Sequence, residues 1–158
     1  IDVNNGLDGD GPFSPERAGT LPAADLVRLC FSGKWSESEL LSRIAGQAGL
    51  VAWLGTSDVR EVLSRIEAGD AQARLVLDAM IYGVAKTIGA QAVALCGKVD
   101  AILLTGGLAH ADYITSRLRE RVSFIAPIHI YPGENELEAL AENALAVLRG
   151  EREVRTYV

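Results

Sequence analysis

The hydrophobic pattern of the chain centres on residues 99–109, VDAILLTGGLA, in which an apolar run leads into paired glycines. Such a run predicts a buried strand that is covered on both faces and that ends in a tight turn. Gly106 and Gly107 leave room for a ligand to approach the backbone at the carboxyl end of the strand. We therefore expect a binding site at that end.

Helical periodicity dominates the sequence before this strand. Pro22 introduces a short amphipathic helix, and Ser36 with Glu39 forms a capping box that opens a second helix to about Ala48. Any residue of the TSD sequence at 56–58 could cap a third helix.

A long helix follows the third. Gly69 ends the third helix, and Asp70 opens one that runs to about Cys96. Apolar residues lie around most of the circumference of this long helix, which predicts that it is largely buried.

The sequence after the central strand predicts two helices and two weaker strands. The helices cover 112–121 and 135–150, the second opening at an Asn. Residues 124–131 form a strand candidate, in which Pro127 favours an edge position or a bulge. Residues 154–158 form a short final strand candidate. Long helices with few strands indicate an α/β protein with a large helical share.

Composition limits the possible classes of protein. The chain has 158 residues, of which 49% are hydrophobic, enough for one packed domain. The net charge of -6 argues against a nucleic-acid-binding surface. No apolar run approaches the roughly 20 residues of a membrane helix. The chain opens at Ile1 without a signal segment, which suggests a piece of a longer protein or a processed product.

Two cysteines and one long loop add to this picture. Cys30 and Cys96 lie in helical patterns without metal-type spacing, so we expect buried, reduced thiols in a cytoplasmic protein. Residues 1–19 are rich in turn-forming residues, and a loop of this length is usually functional or disordered. Asp8 and Asp10 in this loop could bind a metal, but ordinary turn chemistry explains them.

Three features could carry chemistry, and each has a simpler explanation. Arg17 could hold a carboxylate or a phosphate bidentately, or it could be a solvated loop residue. The Thr105-Gly106-Gly107 turn suits a nucleotide, although a strand-to-helix turn needs glycine for steric reasons too. The chain lacks the G-x-G-x-x-G fingerprint and the P-loop motif. Asp58 and Arg60 at a helix start could bind a polar ligand, or serve as a cap beside a solvated arginine.

The remaining polar candidates are weaker. Glu134 and Glu136 could hold Mg²⁺ through oxygen ligands, but carboxylates in a first helical turn are common because of the helix dipole. His110 is interpreted as a polar loop residue and His129 as a satisfied strand residue, since nothing in the sequence pairs either with a nucleophile.

Three segments of the chain, taken in order and spacing, resemble the butyrate kinase branch of the acetokinase family. They are DVNN at 2–5 with GPFSPERAG at 11–19, LTGGLA at 104–109, and PGENE at 132–136. The resemblance spans nearly the whole chain but covers only the second half of such a protein. It implies one domain over residues 1–158, the α-rich, ribonuclease H-like half of an actin, Hsp70 and acetokinase type of fold.

The resemblance also implies a reaction and roles for residues. The reaction is reversible phosphoryl transfer from ATP to butyrate or a related short-chain carboxylate, with Mg²⁺, giving an acyl phosphate and ADP. Arg17 matches the catalytic arginine beside the transferring phosphoryl group. Asp58, Arg60 and the Gly106–Gly107 turn match the adenosine-binding segments, although Val59 stands where an acetate kinase has an aromatic residue. Glu136 matches the glutamate of the magnesium site, with Glu134 as the alternative.

The same resemblance identifies what the chain lacks. The first phosphate loop, the second arginine, the catalytic histidine and the glycine-rich hairpin of the family belong to the amino-terminal half. We therefore expect the isolated chain to bind nucleotide but to be inactive, because positioning supplies most of phosphoryl-transfer catalysis. The family typically forms homodimers, which implies subunit contacts through the helices between Pro22 and Leu95.

Two alternative functions stay open at this point. The chain could be a non-catalytic module for nucleotide binding or dimerisation. It could also belong to a kinase of the same superfamily that acts on another substrate, such as a sugar. The second alternative is weakened because no loop offers the cluster of Asp, Asn and Glu that hydroxyl recognition requires.

Overall fold

A computed structural model describes residues 3–133 and 136–154 of the chain. Its helices and strands follow one another as α1 (Ala23–Cys30), α2 (Glu37–Ile44), α3 (Gly49–Leu54), α4 (Val59–Glu67), α5 (Ala71–Ala94), β1 (Ile102–Gly106), α6 (Asp112–Val122), β2 (Ile128–Pro132) and α7 (Glu136–Leu148). Short 3₁₀ turns lie at Gly6–Asp8 and Gly107–His110. The α/β class with a large helical share is confirmed.

Side-chain caps begin three of the helices, as the sequence predicts. In the capping box, the Ser36 N–H donates to Glu39 Oε2 at 2.7 Å, and the Glu39 N–H donates to Ser36 Oγ at 3.4 Å. Asp58 caps α4, and Asp70 caps α5 by accepting from the Ala73 N–H at 2.9 Å. These bonds satisfy N–H groups that the first helical turn leaves without partners.

The hydrophobic core lies where α5 packs against α4 and α6. Its largest fully buried side chains are Leu50, Leu77, Ile81, Val62 and Val122. Ile102 of β1 enters the same core and connects the sheet to the helices. The start of β1 is thereby fixed relative to α5.

The two strands form a parallel pair in register from Ile102 opposite Ile128 to Gly106 opposite Pro132. Pro127 lies just before β2, where its carbonyl accepts from the Ile102 N–H at 2.8 Å. A proline can serve there because the ladder uses its carbonyl and not an N–H. The second strand is therefore confirmed but begins later than the sequence predicts.

The prediction that β1 is covered on both faces is wrong for the described part of the chain. Side chains alternate between the two faces of a strand. Ile102 is buried and Leu104 packs against the core, whereas Leu103 is 61% exposed and Thr105 is also exposed. The core side chains of α5 and α6 reach one face of β1 only.

The prediction that α5 is largely buried is also wrong. One side of α5 supplies core residues such as Leu77 and Ile81, because α4 and α6 pack there. Apolar side chains on other sides are exposed, including Leu75, Tyr82 and Val93. An apolar circumference predicts burial only if neighbours surround the helix, and in the described chain they cover one side.

Both cysteines are free and exposed, so the predicted burial is wrong. Cys30 is the last residue of α1, a helix without buried residues. Cys96 lies in the turn that follows α5, with a positive φ of 53°. Cys30 is therefore exposed because α1 buries none of its residues, and Cys96 because it lies beyond the end of α5.

The amino-terminal loop at residues 3–19, which we call the pinned loop, is held against residues 44–50 by backbone hydrogen bonds. Glu16 O accepts from the Gly46 and Ala48 N–H groups, and the Ala18 N–H donates to Ile44 O at 2.8 Å. Because the loop takes these donors, α2 ends at Ile44 and not near Ala48. Asp8 and Asp10 accept from neighbouring groups of the same loop, which confirms their interpretation as turn residues.

Two predictions at the end of the chain fall partly outside the described residues. The helix predicted from 135 is confirmed as α7 from Glu136, while Asn135 itself is not described. Of the final strand predicted at 154–158, residues 155–158 are not described, and Val154 belongs to no strand. Within the described ranges, no helix combines the length and the apolar character needed to cross a membrane.

Gly49 joins the loop to the core and provides a test of this packing. Its φ is +57°, and an added Cβ would overlap the carbonyl oxygen of Ser14 and lie 3.0 Å from that of Arg17. Gly55 has a similar φ of +77°, but an added Cβ there would meet nothing within 4 Å. We expect Gly55→Ala to lower the free energy of unfolding by about 1 kcal/mol through backbone strain alone.

Gly49→Ala should cost about 2 kcal/mol more than Gly55→Ala, because overpacking adds to the same strain. Urea denaturation followed by circular dichroism measures both values. Equal losses in the two variants would show that the loop is not packed against Gly49.

Candidate functional site

A cleft of about 750 Å³ lies beyond the carboxyl end of β1, between the 3₁₀ turn at Gly107–His110 and the start of α4. Its lining consists of Ser57, Asp58, Val59, Arg60, Leu63, Gly107, Leu108, His110 and Ala111. The volume is within the range of sites that bind small molecules. The cleft therefore joins two segments that lie about fifty residues apart in the sequence.

The glycine turn forms one wall of the cleft. Gly106 has a φ of 82°, in the left-handed region that favours glycine, and it exchanges two backbone hydrogen bonds of 3.1 Å with Gly133. An added Cβ at Gly107 would meet nothing within 4 Å. Gly106 thus serves the turn itself, while Gly107 presents an open backbone surface to the cleft.

Asp58 and Arg60 form the opposite wall. The Arg60 guanidinium donates to both carboxylate oxygens of Asp58, from Nε at 3.0 Å and from Nη2 at 2.7 Å. The Arg60 N–H also donates to Asp58 at 2.9 Å, which makes Asp58 the cap of α4. The simpler explanation from the sequence, a helix cap beside a solvated arginine, therefore also holds for these two residues, since the Arg60 side chain is 91% exposed.

These contacts set the charge of the wall. The hydrogen bonds from the Arg60 side chain and then from its backbone N–H lower the pKa of Asp58 to about 2. A carboxyl group with a depressed pKa stabilises the fold above its unfolded pKa of about 3.9, and this contribution is lost as the pH falls through the folded value. At neutral pH the wall therefore carries a closed ion pair whose guanidinium faces solvent.

Arg17 does not join the other candidates in this cleft. Its backbone forms an isolated bridge with Ala45, and its side chain is exposed. The guanidinium lies next to Gly6, with Nη1 3.2 Å from the position of an added Cβ there. The structure thus places Arg17 on the pinned loop and not among the cleft residues.

The carboxylates proposed for Mg²⁺ are the least defined candidates. Glu134 lies outside the described residues, and Glu136 begins α7 with a side chain that is also outside them. The described residues contain no group of three His, Cys, Asp or Glu side chains that could hold a metal ion. The structure therefore does not place a metal ligand near the cleft.

Sequence reasoning missed several cleft residues. His110, interpreted as a polar loop residue, lines the cleft together with Leu63, Leu108 and Ala111. Their positions carry a signal in retrospect, because Leu63 follows Val59 by one helical turn and His110 follows the glycine turn directly. His129 lies on β2 with an exposed side chain, outside the cleft lining.

A second, apolar groove of about 480 Å³ lies between the pinned loop and helices α1 to α3. Trp35 and Leu40, which lie on either side of the Ser36–Glu39 capping box, both line it. The Arg43 guanidinium stacks over the Trp35 ring at 3.7 Å from its centroid. Trp53, at the edge of this groove, is 64% exposed.

Comparison with curated proteins identifies relatives along almost the whole chain. The chain is 64% identical over 157 residues to a probable butyrate kinase of Bacteroides thetaiotaomicron, covering 99% of this chain and 44% of that protein. It is 52% identical over 157 residues to a probable butyrate kinase of Clostridium botulinum, with the same coverage. The chain thus spans less than half the length of the curated relatives it matches.

Solved structures share the fold at low sequence identity. An acetate kinase of Porphyromonas gingivalis superposes with a TM-score of 0.78 at 20% identity, over 88% of this chain and 41% of that one. A propionate kinase of Francisella tularensis gives a TM-score of 0.72 at 22% identity, over 81% of this chain and 39% of that one. The predicted acetokinase type of fold is thereby confirmed.

A family model supplies the remaining evidence. The model of the acetokinase family matches residues 11–146, which include the part of the pinned loop that carries Arg17, both walls of the cleft and most of α7. Since this match covers most of the chain, the chain belongs to the acetokinase family.

Proposed function

We propose that the chain is the nucleotide-binding domain of a kinase that phosphorylates butyrate or a related short or branched-chain carboxylate. In this reaction a carboxylate oxygen bonds to the γ-phosphorus of ATP while the bond to the β,γ-bridging oxygen breaks, which gives an acyl phosphate and ADP. The observation that carries the proposal is the cleft, because it joins Asp58, Arg60 and Gly107, three residues chosen as nucleotide-binding from the sequence. The names of the curated relatives support the acceptor.

The chemistry of the two walls suits an adenine nucleoside. The open backbone at Gly107 allows a flat ring to approach closely, and Leu63 and Leu108 provide apolar surface for it. The exposed donors of Arg60 can reach ribose or phosphate oxygens. We assign Asp58, Arg60, Gly106 and Gly107 to nucleotide binding on this basis.

We assign Mg²⁺ binding to Glu136, with Glu134 as the alternative. Mg²⁺ in a nucleotide site commonly takes one or two protein carboxylates together with phosphate oxygens and water. A single acidic side chain from the start of α7 therefore suffices, and a cage of three protein ligands is not required. When bound, the ion would neutralise charge on the phosphates.

Arg17 is assigned to catalysis, as the residue that offsets charge on the transferring phosphoryl group. The long loop that carries it is held by backbone hydrogen bonds, so the guanidinium projects from a fixed base. Because Arg17 lies outside the cleft lining, the nucleotide phosphates must extend from the cleft towards it. By the family resemblance, the groups that hold the carboxylate belong to the amino-terminal half, so we propose that the chain is inactive alone and that the whole protein works in the cytoplasm, where ATP is available.

Nucleotide binding is testable on the 158-residue chain. We expect calorimetric titration to show binding of Mg-ADP, and Arg60→Ala to raise the Kd about 10-fold, since it removes charged donors from the cleft. Arg28→Ala is the matched control, because Arg28 is also exposed and pairs with a nearby carboxylate on α1. A folded chain that gives no heat at millimolar Mg-ADP would contradict the proposal.

The role of Arg17 requires a complete active site. A chimera would join this chain to the part of the Bacteroides relative that it does not cover. We expect the chimera to form acyl phosphate from butyrate, trapped with hydroxylamine, and Arg17→Ala to lower kcat about 10³-fold. Arg28→Ala in the same chimera should leave kcat unchanged. Acetate, isobutyrate and glucose as acceptors test the substrate class, and a preference for glucose would favour a sugar kinase.

A second function, assembly with another copy of the chain, is favoured by exposed apolar side chains on helices α1 to α3. Val27, Leu29, Phe31, Leu41 and Trp53 are between 43% and 86% exposed. A concentration of such side chains on one helical region is typical of protein interfaces. We propose that this region forms a homodimer contact.

Sedimentation equilibrium tests the contact. We expect the chain to dimerise and Phe31→Asp to weaken the dimer at least 10-fold, because the change places a charge in an apolar interface. Phe124→Asp is the control, since Phe124 is equally exposed but follows α6. A monomer at millimolar concentration, or equal effects of the two substitutions, would refute the contact.

A further inference from the structure

Arg65, near the end of α4, connects α3, α4 and α5 and is not among the residues that line the cleft. Its Nη1 donates to the backbone carbonyl of Leu54, the last residue of α3, at 2.9 Å. Its Nε and Nη2 both donate to Oδ2 of Asp70 at 2.9 and 2.8 Å. The arginine thus forms a clamp that links the Leu54 carbonyl at the end of α3 to Asp70, the cap of α5.

The segment held by this arginine leads directly into the cleft wall. After Leu54 the chain turns at Gly55, whose φ is +77° and around which an added Cβ would meet nothing within 4 Å. The Gly55 N–H donates to the Val51 carbonyl at 2.9 Å, which closes α3, but nothing packs over the turn where a Cβ would lie. The segment then passes through the cleft residues Ser57 and Asp58 into α4.

The other end of the clamp, Asp70, is attached to the core helix α5. Asp70 receives the guanidinium on Oδ2 while its Oδ1 accepts from the Ala73 N–H, the first turn of the core helix α5. These bonds, the backbone one first, lower the pKa of Asp70, so the carboxylate is charged at neutral pH. Both partners are half-buried, with exposed side-chain fractions of 34% and 30%, which protects the pair from screening.

From this geometry we propose that Arg65 is a positioning residue for the nucleotide, which fixes the 55–58 wall of the cleft to the core through the carbonyl of Leu54. The inference rests on the proposed nucleotide site. Asp58 and Arg60 satisfy each other, so their own ion pair does not hold the wall to the rest of the domain. Val59 is buried in the core just after this wall, and the clamp adds a second attachment just before it, because one guanidinium plane serves the carbonyl and the carboxylate together.

Lysine cannot replace arginine in this role. Its ammonium is a compact charge without the planar fork that reaches two acceptors in fixed directions. Arg65→Lys therefore keeps the charge beside Asp70 but releases the carbonyl of Leu54. We expect this variant to raise the Kd of the chain for Mg-ADP about 10-fold in calorimetric titration, at a temperature where circular dichroism shows it folded.

Arg117→Lys is the matched control. Arg117 pairs with Asp78 at 3.0 Å, and the exposed fractions of 29% and 33% nearly equal those of the Arg65 pair. This pair joins α5 to α6 and has no bond to residues 54–58. We expect Arg117→Lys to lower the Tm about as much as Arg65→Lys but to change the Kd less than 2-fold.

A second variant and a second readout keep the test decisive. Asp70→Asn keeps an oxygen for the Ala73 N–H but weakens the hold on Arg65, and should raise the Kd about 3-fold. Amide hydrogen exchange should become at least 10-fold faster at Gly55 and Ser57 in both Arg65→Lys and Asp70→Asn. A Kd within 2-fold of wild type in Arg65→Lys, or an equal rise in Arg117→Lys, would overturn the inference.

Failure of the proposed function gives a different result. If the wild-type chain does not bind Mg-ADP, the nucleotide site is refuted. The exchange rates then still report on the clamp, because unchanged rates at Gly55 and Ser57 would refute it as well. If the chain binds no nucleotide but exchange at Gly55 and Ser57 is faster in the variants, Arg65 holds this segment for structural reasons, and its role in positioning the nucleotide is rejected.

Discussion

Packing of α4 and α6 on one side of α5 is the constraint on which the arrangement of the cleft depends. The start of α4 carries Asp58 and Arg60, and the turn before α6 carries Gly107 and His110. The two walls lie about fifty residues apart in the sequence, so their common support on α5 sets the gap between them, and the Arg65 clamp adds to that support on the α4 side. The buried side chains Val62, Leu77 and Leu118 therefore determine the shape of the site as much as the residues that line it.

Local signals in the sequence predicted the elements well where a cap or a glycine specified the backbone. Ser36, Asp58 and Asp70 begin helices, and Gly106 ends β1 in a left-handed conformation. Each of these depends on hydrogen bonds or on backbone freedom within a few residues. The cleft could be anticipated from the same local features, because parallel strands bind ligands beyond their carboxyl ends.

The periodicity of apolar residues did not predict which helices and strands pack against one another. The exposed side of α5, the open face of β1 and the exposed Cys30 and Cys96 all depend on which elements lie nearby, which an apolar pattern does not specify. The end of α2 at Ile44 depends on hydrogen bonds from a loop almost thirty residues earlier. The glycine turn marks His110 as a neighbour of the site, but its place in a cleft with the start of α4 depends on packing that the sequence pattern does not specify.

The parallel pair of β1 and β2 has a consequence for how the chain is handled during synthesis. Within the described residues, β1 is hydrogen-bonded along one edge, to β2, and its Leu103 face is open. An uncovered strand edge beside apolar side chains is a template for pairing with another extended chain. During synthesis, pairing of this free edge with another extended chain would therefore compete with folding.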